Sequence, residues 1–141
     1  MKISNTLFEN KQYVETITKI HKSDQLSVMD AYRINRLVKK LYELNTEYLQ
    51  LKHRIIEQYG TPKEDNTTFE IEEEQREPFM KEFQELLKIE HDLEMEMLSF
   101  PNKLEDGVSA ADLNIMEMFF DLSTITELKD EPESSIENEK E

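Results

Sequence analysis

The sequence predicts a mainly α fold of the α+β class. The expectation is a long helical hairpin or bundle with one small two-stranded β ribbon and an acidic, disordered C-terminal tail. Three observations lead there. Two glycines and four prolines interrupt 141 residues, and scarce breakers favour long helices. Apolar residues recur at spacings of three and four through one long central stretch. One segment, HDLEMEML (91–98), instead alternates with the period of two that marks a half-buried strand. A chain of this length is expected to form one helix-rich domain over 1–126, with the tail occupying 127–141.

Asn5 is expected to cap a first helix over about 6–21. Leu7, Phe8, Val14, Ile17 and Ile20 give its apolar face, widened by Tyr13. After the polar link HKSDQ, Ser27 and Asp30 resemble a capping box with Asp in place of the usual Glu or Gln. Ile34, Leu37, Leu41, Leu44, Tyr48, Leu51 and Ile55 then follow at alternating spacings of three and four. That pattern is the seam of a left-handed helix pair. Leu37, Leu41, Leu44, Tyr48 and Leu51 form its candidate packing core, and Val38, Tyr42 and Ile56 widen it. Gly60 is expected to be the C-terminal cap, with Pro62 just beyond. The helix would be about 32 residues, or about 48 Å, long. One small core cannot cover that length from one side, so the first helix, a later helix or a second copy of the chain would share it.

TPKEDN (61–66) reads as a turn and TTFEI (67–71) as a short strand. Pro78 is expected to open a helix over 78–90, with Phe79, Phe83, Leu86 and Leu87 on one face. In HDLEMEML, Leu93, Met95 and Met97 would face one way and Asp92, Glu94 and Glu96 the other. A lone strand leaves its backbone unpaired, so TTFEI is its expected partner, in either direction. Phe100 and Pro101 end the ribbon. VSAAD opens a last helix: Ser109 as cap, Asp112 as its capping-box partner, and Val108 stapled onto Leu113. Leu113, Met116, Phe119 and Phe120 would be buried. From Glu127 the chain carries a net charge of −5 with one large apolar residue beyond Leu128, a composition expected to stay disordered.

The net charge of −15 is uneven: residues 11–63 sum to +4 and residues 64–141 to −19. Such a surface repels nucleic-acid phosphates and suits a protein partner with a basic, nucleic-acid-binding surface. The simpler reading is solvation, with the two halves facing each other. No cysteine is present, so thiolate zinc sites and disulfides are excluded. His21, His53 and His91 are far apart, and His91 would point away from Asp92, Glu94 and Glu96; no metal or other cofactor is expected. There is no GxSxG, and two glycines cannot build a phosphate loop. The expected protein is therefore not an enzyme. No apolar run is long enough to span a membrane, and MKISNTLFEN lacks a signal-peptide core; a cytoplasmic protein is expected.

Two exposed features are candidate binding sites. Asp92, Glu94 and Glu96 would form an acidic face. Arg33, Arg36 and Lys40 share one flank of the long helix, ahead of Glu43 and Glu47; they could bind phosphate or an acidic partner, or pair with acids of their own fold. Met95, Met97, Met116 and Met118 cluster late in the chain and suit either an adaptable surface or the core.

The order of "RIIEQYG", "EFQELLKIEHDLEMEML" and "VSAADLNIMEMFF" resembles a group of small, uncharacterised proteins of tailed bacteriophages and prophages, over about residues 25–122. The resemblance rests on caps and patterning. It implies a phage setting, hence the cytoplasm of a host bacterium, and carries no catalytic residues with it. The expected role is protein–protein binding that modulates or inhibits a host nucleic-acid-handling or defence protein. The alternative is a structural or assembly component of a phage particle that self-associates as a homo-oligomer through the long helix.

Overall fold

The computed structural model describes residues 1–24, 26–65, 67–101 and 107–123; the expected tail, 127–141, lies outside the described residues. The fold is mainly helical with small two-stranded sheets. In order the elements are β1 (Lys2–Ser4), a 3₁₀ helix (Asn5–Glu9), α1 (Lys11–His21), α2 (Val28–Tyr59), β2 (Gly60–Pro62), β3 (Phe69–Ile71), α3 (Glu73–Leu87), β4 (Glu90–Asp92), β5 (Leu98–Ser99), α4 (Ala110–Met116) and β6 (Phe120–Asp121). The described residues fall into two compact units. The first holds Met1, Gln12–Asn35 and the chain from Glu94 onward; the second holds Lys2–Lys11 and Arg36–Leu93.

In the first unit, α1 buries Tyr13, Ile17 and Ile20. Val14, expected inside, is 61% exposed; Tyr13, four residues before Ile17, takes the stripe position instead. Ile34, Leu98, Phe100, Ile115, Met116, Phe119 and Phe120 complete this core, with Phe100 edge-on to Phe120 at 5.9 Å. α4 begins as expected, with a full Ser109–Asp112 capping box. β5 and β6 pair in parallel, Leu98 opposite Phe120.

In the second unit, Ile3, Leu7, Leu37, Leu41, Tyr48, Leu86 and Leu93 are buried. The first helix starts later than expected. Asn5–Glu9 is 3₁₀ and ends at Asn10, whose φ of −85° and ψ of 119° are extended. Asn5 is not a cap: its side chain donates to the Leu86 carbonyl at 2.9 Å. β1 pairs antiparallel with β4, Ile3 opposite His91.

α3 begins at Glu73, five residues before Pro78. Glu73 and Glu74 in its first turn favour the positive helix end, and Pro78, with no N–H, removes one helical hydrogen bond inside the helix. Its Phe79 and Phe83 rings stack at 5.8 Å. Tyr59 of α2 meets Phe79 edge-on at 6.4 Å, and Lys52 Nζ lies 5.7 Å from the centre of the Phe83 ring.

α2 spans the 32 residues expected of it, and Ser27 Oγ accepts from the Asp30 backbone N–H at 3.1 Å. Its end differs. Gly60 has no positive φ and opens β2, which pairs antiparallel with β3. A Cβ at Gly60 would sit 2.6 Å from the Ile56 carbonyl oxygen and 3.0 Å from Phe69 Cβ. Close approach, not a left-handed cap, requires the glycine. Asp65 Oδ1 accepts from the Thr67 and Thr68 backbone N–H groups at 3.1 and 3.2 Å, an Asx turn that reverses the chain between β2 and β3.

The expected ribbon of TTFEI with HDLEMEML does not form. Phe69–Ile71 pairs with Gly60–Pro62, and Glu90–Asp92 with Lys2–Ser4. The strand also stops at Asp92: Glu94 has φ 56°, the left-handed region, which breaks an extended run.

Candidate functional site

The candidate acidic face is taken apart by that break. Asp92 ends β4 and is exposed; Glu94 and Glu96 are exposed in the irregular stretch that follows. Leu93 is buried, Met95 half-buried and Met97 47% exposed, so the alternation fades where the strand ends. Acid is nevertheless dense in the second unit. Residues 64–93 hold eleven Asp or Glu against three Lys or Arg, and ten of the eleven are exposed, among them Glu73, Glu74, Glu77 and Glu85 on α3. The sequence showed this excess across the segment, whereas the period of two singled out only Asp92, Glu94 and Glu96 at and beyond its end.

Of the basic stripe, Arg33 and Arg36 are exposed and Lys40 half-buried. Arg33 Nη1 lies 3.8 Å from Asp30 on its own helix, as the simpler reading expects. Of the packing seam, Leu37, Leu41 and Tyr48 are each 1% exposed, while Leu44 and Leu51 are half-buried. The Tyr48 ring meets Phe8 at 5.8 Å and its hydroxyl donates to Glu9, a short contact. Lys52 joins the same carboxylate at 2.7 Å. Burial would raise the Glu9 carboxyl, but the Lys52 and Tyr48 donors outweigh it and lower its pKa. Burial and the Glu9 carboxylate together push the Tyr48 phenol up.

The densest polar cluster is one that sequence reasoning found only in part. Asp112 is fully buried and accepts from both sides. Oδ1 takes Thr16 Oγ1 at 2.7 Å and Gln12 Nε2 at 3.2 Å. Oδ2 takes Lys19 Nζ at 2.5 Å and the Ser109 N–H and Oγ, each at 3.0 Å. Burial alone would raise this carboxyl. The Lys19 ammonium and the Ser109 and Thr16 donors overcome it and hold it far below the usual range. Gln12, Thr16 and Lys19 stand at i, i+4 and i+7 on α1, a polar stripe beside the apolar one, and that spacing was the readable signal.

The chemistry open to this cluster is structural. Ser109 Oγ donates to Asp112 and accepts from the Asp112 N–H, so both its roles are taken. Lys19 Nζ donates to Asp112 and to the Gly107 carbonyl, contacts that serve the fold. The cluster ties the N-terminus of α4 to α1. In the second unit, Asn5 Oδ1 lies 2.8 Å from His91 Nε2, and the Asn5 N–H donates to the Ile89 carbonyl; this set anchors the chain start to the end of α3.

Among the described residues, no group of three or more His, Asp or Glu is placed to hold a metal ion, and no helix is long and apolar enough to cross a membrane. A shallow surface groove of about 660 Å³ runs along α2, lined by Thr46, Glu47, Leu49, Gln50, Leu51, His53 and Arg54. Comparison with models of known families, with curated proteins and with solved structures finds no match.

Proposed function

We propose that this is a non-catalytic, phage-type protein of the host cytoplasm that binds a basic protein surface and so modulates or inhibits a host nucleic-acid-handling or defence protein. One observation carries the reading: ten exposed carboxylates within residues 64–93, against three basic residues. A surface this one-sided attracts basic grooves and repels nucleic acid, and it speeds encounter more than it slows escape. The acids of α3 carry the density, with Asp92, Glu94 and Glu96 beyond it.

The test is capture from host lysate by the wild type, by Glu73→Lys/Glu77→Lys and by Glu94→Lys/Glu96→Lys, at low and high salt. The expected result is a nucleic-acid-binding protein that the α3 variant binds more weakly, that elutes with salt, and that DNA displaces. Equal capture by all three proteins, insensitive to salt, rejects the reading.

The alternative, assembly through the long helix, has less support on the face first assigned to it, because Leu37, Leu41 and Tyr48 are already buried within the chain.

A further inference from the structure

We draw no further inference here: the strongest candidate, the exposed outer face of α2 that presents Tyr42 and Leu49 in the second unit, carries nothing because nothing in the structure shows what covers it.

Discussion

Asp112 shows how much one side chain can organise. It closes the α4 cap and fixes α1 through Thr16 and Lys19. Asp112→Ala removes a cap and strands the buried Thr16 hydroxyl, so it should cost about 2–4 kcal/mol in chemical denaturation. The sign with pH follows from the lowered carboxyl pKa. The stabilisation is fully present above the unfolded-state value near ~3.9 and fades as pH falls below it. Wild type and Asp112→Asn should therefore differ by a constant amount from pH 7 to about pH 5 and converge below about pH 4. A gap that persists unchanged at low pH would remove the carboxylate's charge from the account. The two glycines make a sharper contrast. Gly60→Ala drives a methyl into the Ile56 carbonyl and should destabilise by about 1–3 kcal/mol. A methyl at Gly107 would meet nothing within 4 Å, and the residue has no positive φ, so Gly107→Ala should be neutral or stabilise by up to about 1 kcal/mol. Melting curves of the two variants measure both.

What the sequence revealed at the level of elements was what is decided locally. The Ser27 and Ser109 caps, the length of α2 and the burial of Met116 and Phe119 follow from residues a few positions apart, and the structure agrees with each. Strand partners are set by distant residues. β4 pairs with Lys2–Ser4, some ninety positions away, and no local pattern in HDLEMEML announces that. The candidate sites divide in the same way. The burial of Leu37, Leu41 and Tyr48 in the α2 seam was legible from periodicity, whereas the contacts of Thr16 and Lys19 to buried Asp112 join residues far apart in the chain. The polar stripe of α1 was visible without its partner. Along α2 the graded burial gives a graded prediction. Leu37→Ala, at 1% exposure, should cost about 2–5 kcal/mol. Leu44→Ala, half-buried, should cost roughly half as much, and Tyr42→Ala should scarcely affect the stability of the single chain. Urea midpoints in that order support the inner seam as core; equal losses at Leu37 and Tyr42 would mean that the two faces of the helix are not distinct.

For the whole chain the governing quantity is a net charge of −15. Self-repulsion among surface carboxylates opposes the compact state, and salt screens it. Salt also screens attractive pairs, so the sign of the response shows which dominates. Among the described residues, Arg33–Asp30 is an exposed pair 3.8 Å apart on one turn of helix and Lys52–Glu9, at 2.7 Å, is partly exposed; exposed pairs of this kind contribute about 0–1 kcal/mol. Lys19–Asp112 is shielded on its acid side, where the carboxylate is 1% exposed, and buried charge responds little to ions in solution. Repulsion among the acids of 64–93 should therefore prevail. Raising ionic strength from about 0.01 to 0.15 M shortens the Debye length from about 30 to 8 Å, so the melting temperature should rise across that range and level off beyond it. The charge-reversed Glu73→Lys/Glu77→Lys protein carries four fewer net negative charges, −11 against −15, and should start from a higher melting temperature at low salt with a shallower rise. Melting followed by circular dichroism at ~1 μM, repeated at about tenfold higher concentration, separates this response from any association, which would make the midpoint concentration-dependent. A melting temperature that falls with added salt would mean that attractive pairs outweigh repulsion, and the acidic surface would then be neutralised within the fold rather than presented to a partner.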